Sequence, residues 1–154
     1  MTRLQWTSRP TGRRLEASHV IAAAPDDAWE VLVDTTRWPT WSPVIFGVDA
    51  TDRYVRTGTS GRVRAPGVWL PFTGTSGRVR APGVWLPFTV TDCRERSWTW
   101  RVAELPGATH RVDELGTDRC RVVFELPPAS VGAAPVCLEA LERIDAVLED
   151  SEST

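Results

Sequence analysis

The 154-residue sequence contains no lysine; arginine supplies all 18 of its basic side chains. Without a side-chain amine, the chain cannot form a Schiff base with a carbonyl substrate or anchor pyridoxal phosphate. Histidine is nearly as scarce, with only His19 and His110, and Tyr54 is the single tyrosine. Cys93, Cys120 and Cys137 are far apart and odd in number, with no CxxC among them. That pattern suits neither a disulfide framework nor a zinc site, and each cysteine reads as a buried free thiol. Phosphate-loop, GxSxG and HExxH patterns are all missing.

Long apolar runs are also missing, so no stretch reaches the roughly 20 residues of a membrane span. The opening MTRLQWTSRPTGRR has no apolar signal core. A net charge of −2 gives no electrostatic footprint for phosphate backbones. The expectation is a cytoplasmic chain with no cofactor, no metal, no nucleic-acid partner and no membrane span, monomeric or homodimeric.

What is present is an ordinary globular composition, 42% hydrophobic and 25% charged, with eight tryptophans. The stretch TGTSGRVRAPGVWLPF occurs twice without a difference, as residues 57–72 and 73–88; without one copy, 138 residues would remain. Either length supports one domain with a real core. Two short copies cannot stack as a solenoid. Each copy reads as strand, Pro-Gly turn, strand. The even length of 16 leaves the inward or outward phase of later residues unchanged. Looping one copy out costs about 1 kcal/mol in closure entropy. The expectation is an extra β-hairpin at the sheet edge, with Arg62, Arg64, Arg78 and Arg80 as solvated edge charges.

Residues 1–12 read as a flexible leader, 13–150 as one domain and 151–154 as a tail. RLEASHVIA alternates as a first strand. APDDAWEVLVDTTRW starts a helix, with Pro25 in its first turn and Asp26 and Asp27 at its positive end. Pro39 and Pro43 end it, with room for a second short turn between. From Val44 to Leu126 the pattern is β, with strands predicted at VIFGVDA, GTSGRVRA, LPFTVTDCRERS, SWTWRVAEL, ATHRVDEL and RCRVVFEL and turns at PG and GTD. Trp98, Trp100 and Val102 share a face, as do His110 and Val112, and Cys120, Val122, Phe124 and Leu126. Thr99, Arg101, Arg111 and Glu125 lie opposite, which predicts an antiparallel sheet covered on one side. The cover is a terminal helix with Leu138, Leu141, Ile144 and Leu148 on one stripe.

The segment IAAAPDDAWEVLVDTTRWPTWSP, through Ala24, Pro25, Trp29, Leu32, Asp34, Trp38, Trp41 and Pro43, resembles the START-like SRPBCC superfamily. That superfamily includes sequences labelled polyketide cyclase/dehydrase and relatives of coenzyme-Q-binding proteins. The resemblance implies an α+β helix-grip fold: a curved antiparallel sheet wrapped around a long C-terminal helix, with two short helices after the first strand. It also implies a central cavity for an apolar small molecule, and supplies no universal catalytic residue.

Candidate cavity residues are therefore Trp41, Trp98, Trp100, Val102, His110 and Val112 on the early elements and inner strands. Val122, Phe124, Leu141, Ile144 and Leu148 complete the set. Trp29 and Trp38 read as packing. His110 and, more weakly, Tyr54 are the candidates for moving a proton, although no partner group identifies a catalytic constellation. Three functions are open to test: a binder of an apolar or aromatic small molecule such as a lipid or polyketide, a polyketide aromatase/cyclase or dehydratase, and a protein-interaction module using the sheet edge.

Overall fold

The computed structural model describes residues 2–65, 69–71, 78–80 and 83–152. Ten strands and three α-helices follow in the order β1 (Thr2–Arg9), β2 (Gly12–Ile21), α1 (Pro25–Val33), α2 (Trp38–Trp41), β3 (Gly47–Ala50), β4 (Ser60–Ala65), β5 (Trp69–Pro71), β6 (Arg78–Arg80), β7 (Val84–Arg94), β8 (Ser97–Val102), β9 (Leu105–Gly116), β10 (Arg119–Leu126) and α3 (Ala134–Glu152). Eight strands form one antiparallel sheet in the order β1-β2-β10-β9-β8-β7-β4-β3, and α3 packs against it as the helix-grip fold requires.

The expected leader is instead a strand. Pro10 and Thr11 turn the chain so that Arg9 faces Gly12, and β1 then pairs with β2 from Thr2↔His19 onward. Gly12 supports this turn with φ 125°, a conformation that L side chains rarely adopt. Arg9 fastens the strand through ion pairs to Glu16 and Glu125. The two short helices consequently follow the second strand, not the first. At the other end α3 continues to Glu152, into the segment expected as a tail.

Three further boundaries differ from the pattern reading. VIFGVDA becomes a strand only at Gly47, because Pro43 and the Ser42 hydroxyl, which accepts the Val44 N–H, hold a turn ahead of it. The turn before β9 falls at Ala103–Glu104, both with positive φ (51° and 66°), while Pro106 and Gly107 lie inside the strand. Cys93 is only half-buried, unlike Cys120 and Cys137, and all three thiols are free.

The duplicated segment is divided between two pairings. Its first copy supplies β4 and its second begins β7, and these pair in the main sheet from Ser60↔Thr89 to Ala65↔Val84. Among the described residues β5 and β6 pair with each other alone, Trp69↔Arg80 to Pro71↔Arg78, and no strand is added beside an edge of the eight-stranded sheet. The proposed Pro66–Gly67 and Pro82 turn residues lie outside the described residues.

The inner face is apolar as the phase predicts: Trp98, Val112, Cys120, Val122, Phe124 and Leu126 are buried with Leu141, Ile144 and Leu148 of α3. Each such side chain stabilises the fold by about 1.5–3 kcal/mol. The outer face is drier than expected. Arg111 bridges Glu16, Asp113 and Glu125, and Val123 on that side is fully buried.

Candidate functional site: an apolar cavity under the C-terminal helix

One end of the space between sheet and helix is hollow. A cavity of about 350 Å³ lies among the α2 segment, strands β4 and β7–β10, and the first turns of α3. Its aromatic walls are Trp41, Trp100, His110 and Phe124, and Val63, Leu86 and Val102 add aliphatic surface. The helix contributes Val136, Cys137 and Ala140, with Ala133 just before it. Among the described residues no charged side chain lines the space; its polar groups come from Ser42, Ser130, His110 and Cys137.

Five of the sequence candidates meet there: Trp41, Trp100, Val102, His110 and Phe124. The other six do not line it. Trp98, Val112, Val122, Leu141, Ile144 and Leu148 are buried in the solid core. Tyr54 is excluded as a cavity group. It is 47% exposed, with the Arg53 guanidinium 5.2 Å from its ring, in a bridge to Asp34. The sequence reading missed Ala133, Ala140, Gly107 and Ala108. Small residues on inward positions were the available signal, because a hollow requires side chains that fall short.

Local geometry explains how the wall is held. Trp38 donates through its indole N–H to the Leu32 carbonyl (2.9 Å) and Trp41 to the Val31 carbonyl (3.1 Å), so α1 fixes both α2 tryptophans. Trp38 stacks on Trp98 (centroids 5.3 Å apart, planes 8°), and Trp98 stacks on His110 (3.9 Å, 15°). Trp100 meets all three rings edge-on. Gly107 makes room for it: a Cβ there would lie 2.6 Å from Trp100 Cδ1.

His110 is the distinctive polar group. Burial pushes its pKa down to about 3, against an opposing contribution from the Trp98 backbone, so the imidazole is neutral at physiological pH. Its Nδ1 is buried with no hydrogen-bond partner among the described residues, and the same holds for Trp98 Nε1. Cys137 is a poor nucleophile, because burial pushes its thiol up to about 11. His19 stands apart from the cavity, with Nε2 2.7 Å from an Asp145 carboxylate oxygen on the outer turn of α3. Among the described residues no group of three or more His, Cys, Asp or Glu side chains could hold a metal, and no helix is long and apolar enough to cross a membrane.

The fold and this space define a helix-grip protein with an apolar pocket. The profile for polyketide cyclase/dehydrase and lipid transport proteins matches residues 12–149, and the chain belongs to that family. No curated protein matches the chain. Among solved structures it is similar to the Zhui aromatase/cyclase of Streptomyces sp. R1128 (15% identity, 89% of this chain and 93% of that one, TM-score 0.64). It is also similar to protein Ms6760 of Mycobacterium smegmatis (15% identity, 98% and 99% covered, TM-score 0.63). A third is the di-domain aromatase/cyclase StfQ of the steffimycin pathway, at 12% identity and TM-score 0.57, where the match covers 92% of this chain and 52% of that one. Identities this low show a shared fold and leave activity open.

Proposed function

We propose that the chain binds an uncharged, mostly apolar or aromatic small molecule carrying one hydrogen-bonding group, held in the cavity beneath α3. The observation that carries this reading is an uncharged 350 Å³ hollow containing one buried imidazole whose Nδ1 has no partner among the described residues. That volume lies in the lower part of the roughly 300–1,000 Å³ range of ligand pockets. A buried polar atom left unpaired costs about 1–3 kcal/mol. His110 lines the cavity, and a turn of its ring that brings Nδ1 against a ligand hydroxyl or carbonyl recovers part of that cost. Trp41, Trp100 and Phe124 offer flat surfaces to ring systems, while Val102 closes one side. A carboxylate or ammonium ligand is disfavoured, because no countercharge lines the space among the described residues.

An aromatase/cyclase reading is favoured by the likeness to Zhui and StfQ and by the same pocket, which would fold a flexible chain by shape. Against it stands the chemistry of His110. An imidazole with a pKa of about 3 is a weak general base near neutral pH. Binding is therefore the leading function. Titration with 2-naphthol, read by tryptophan fluorescence and calorimetry, tests it. Saturable binding that His110→Phe weakens by about 5–10-fold supports the reading, at about 1–1.4 kcal/mol for one hydrogen bond. Absence of binding, or equal affinity for naphthalene-2-carboxylate, overturns it.

A further inference from the structure

The duplication gives the sheet two equivalent ways to build one of its strands. In the observed arrangement partner numbers sum to 149 throughout the β4–β7 ladder, as in Ala65↔Val84. The β5–β6 ladder keeps the same sum, as in Trp69↔Arg80. β4 comes from the first copy and the beginning of β7 from the second. Residues 76–81 nevertheless spell Ser-Gly-Arg-Val-Arg-Ala, the same six residues as 60–65. Residues 72–77, 81 and 82 lie outside the described residues, so the equivalence of the two copies there rests on their identical sequence.

Substituting 76–81 for 60–65 shifts the partner sum from 149 to 165, with Ser76 opposite Thr89 and Ala81 opposite Val84. The shift of 16 residues is even, so every inward side chain stays inward. Pro82–Gly83 then becomes the connection between the strands, with proline and glycine suited to the central positions of a type II turn. Each demand that β4 and its approach meet has an identical substitute. Val63 is buried in the cavity wall, and Val79 replaces it. Gly61 passes so close to β3 that a Cβ would sit 2.0 Å from the Asp49 carbonyl oxygen, and Gly77 replaces it. Thr59 is fully buried, accepts the Arg56 N–H (3.0 Å) and donates to Asp52 (2.8 Å); Thr75 replaces it. Thr57 accepts the Cys93 N–H at 2.9 Å, and Thr73 replaces it.

We infer that either copy can supply this strand, and that the folded chain populates two registers sixteen residues apart. The contacts of the eight-stranded sheet are the same in both. What differs is the place of the surplus copy, beyond Ala65 and Val84 in one register and between Arg56 and Thr73 in the other. The surplus is one 16-residue copy in both registers, so closure entropy separates them little. The β5–β6 ladder belongs to the first register alone, and the Pro82–Gly83 connection to the second.

Redundancy is the measurable consequence. In the full chain, V63D and V79D should each shift the thermal midpoint by no more than about 5 °C, since the untouched copy takes over. The double variant V63D/V79D should lose at least about 10 °C, as expected for an unpaired charge in a core. In the 138-residue variant lacking residues 66–81, V63D alone should show the full loss. A second probe is disulfide trapping. V63C/L86C reports the observed register, and V79C/L86C the other, because Val79 is otherwise the ladder partner of Leu70. Oxidation should link both pairs in folded monomer, read by peptide mass mapping. A V63D loss as large as that of the double variant overturns the inference, as does linkage of V63C/L86C alone.

Discussion

The two ends of α3 face the same sheet and meet it differently. Toward Leu141, Ile144 and Leu148 the helix, packed on β2 and β10, presents branched side chains, and all three are buried. Toward Ala133, Cys137 and Ala140 it presents short ones, and the sheet opposite is also short-sided at Gly107 and Ala108, which leaves the hollow. The solid end carries stability and the hollow end carries recognition. Polarity follows the same division: His110, whose buried Nδ1 has no partner among the described residues, lines the hollow end.

The largest effect should come from breaking the solid end. Leu141→Ala removes a fully buried side chain and should cost about 2–5 kcal/mol, seen as a lower urea midpoint. Ligand affinity should change less than twofold, since Leu141 does not line the cavity. An affinity loss comparable to the stability loss would dissolve the distinction between the two ends.

Next in size is Gly107→Ala. The new methyl must displace the Trp100 ring, for about 1–3 kcal/mol of overpacking. Near-ultraviolet circular dichroism should show the Trp100 environment change. Unaltered tryptophan signals would mean that this wall is softer than its geometry shows.

Much of the solid end was legible in the sequence, and little of the hollow end. Period-two alternation in β9 and β10 and the leucine stripe of α3 identify buried residues, because burial selects for large apolar side chains. A cavity is set by what does not reach across, and alternation carries no information about reach. Thus Trp98 and Trp100 share a phase, yet one is stacked between Trp38 and His110 while the other lines the hollow. The bulge between Thr99 and Arg101 and the glycine facing Trp100 separate them, and both are properties of strand pairing. The same holds for β1. Its residues look polar because the strand lies at the sheet edge, and only the partners Arg9 finds in Glu16 and Glu125 show that it is fastened.

Filling the hollow sharpens the comparison from the other side. Ala140→Leu places extra carbon atoms in empty space, so the midpoint should hold or rise while affinity for 2-naphthol falls at least tenfold, about 1.4 kcal/mol. Retained affinity would place the ligand elsewhere.

The smallest expected effect concerns protons at the hollow end. His110 titrates near 6.5 when unfolded and near 3 when folded, so the unfolded chain binds the extra proton between those values. Stability from this group is complete above pH 6.5 and is lost as the pH falls toward 3. Between pH 7 and 5.5 the loss is about 1 kcal/mol. His110→Phe keeps an aromatic ring in the stack and removes the titration. The urea midpoint of the wild type should therefore fall relative to that of the variant as the pH is lowered. Parallel pH profiles would show that water reaches the imidazole and that the hollow is not dry.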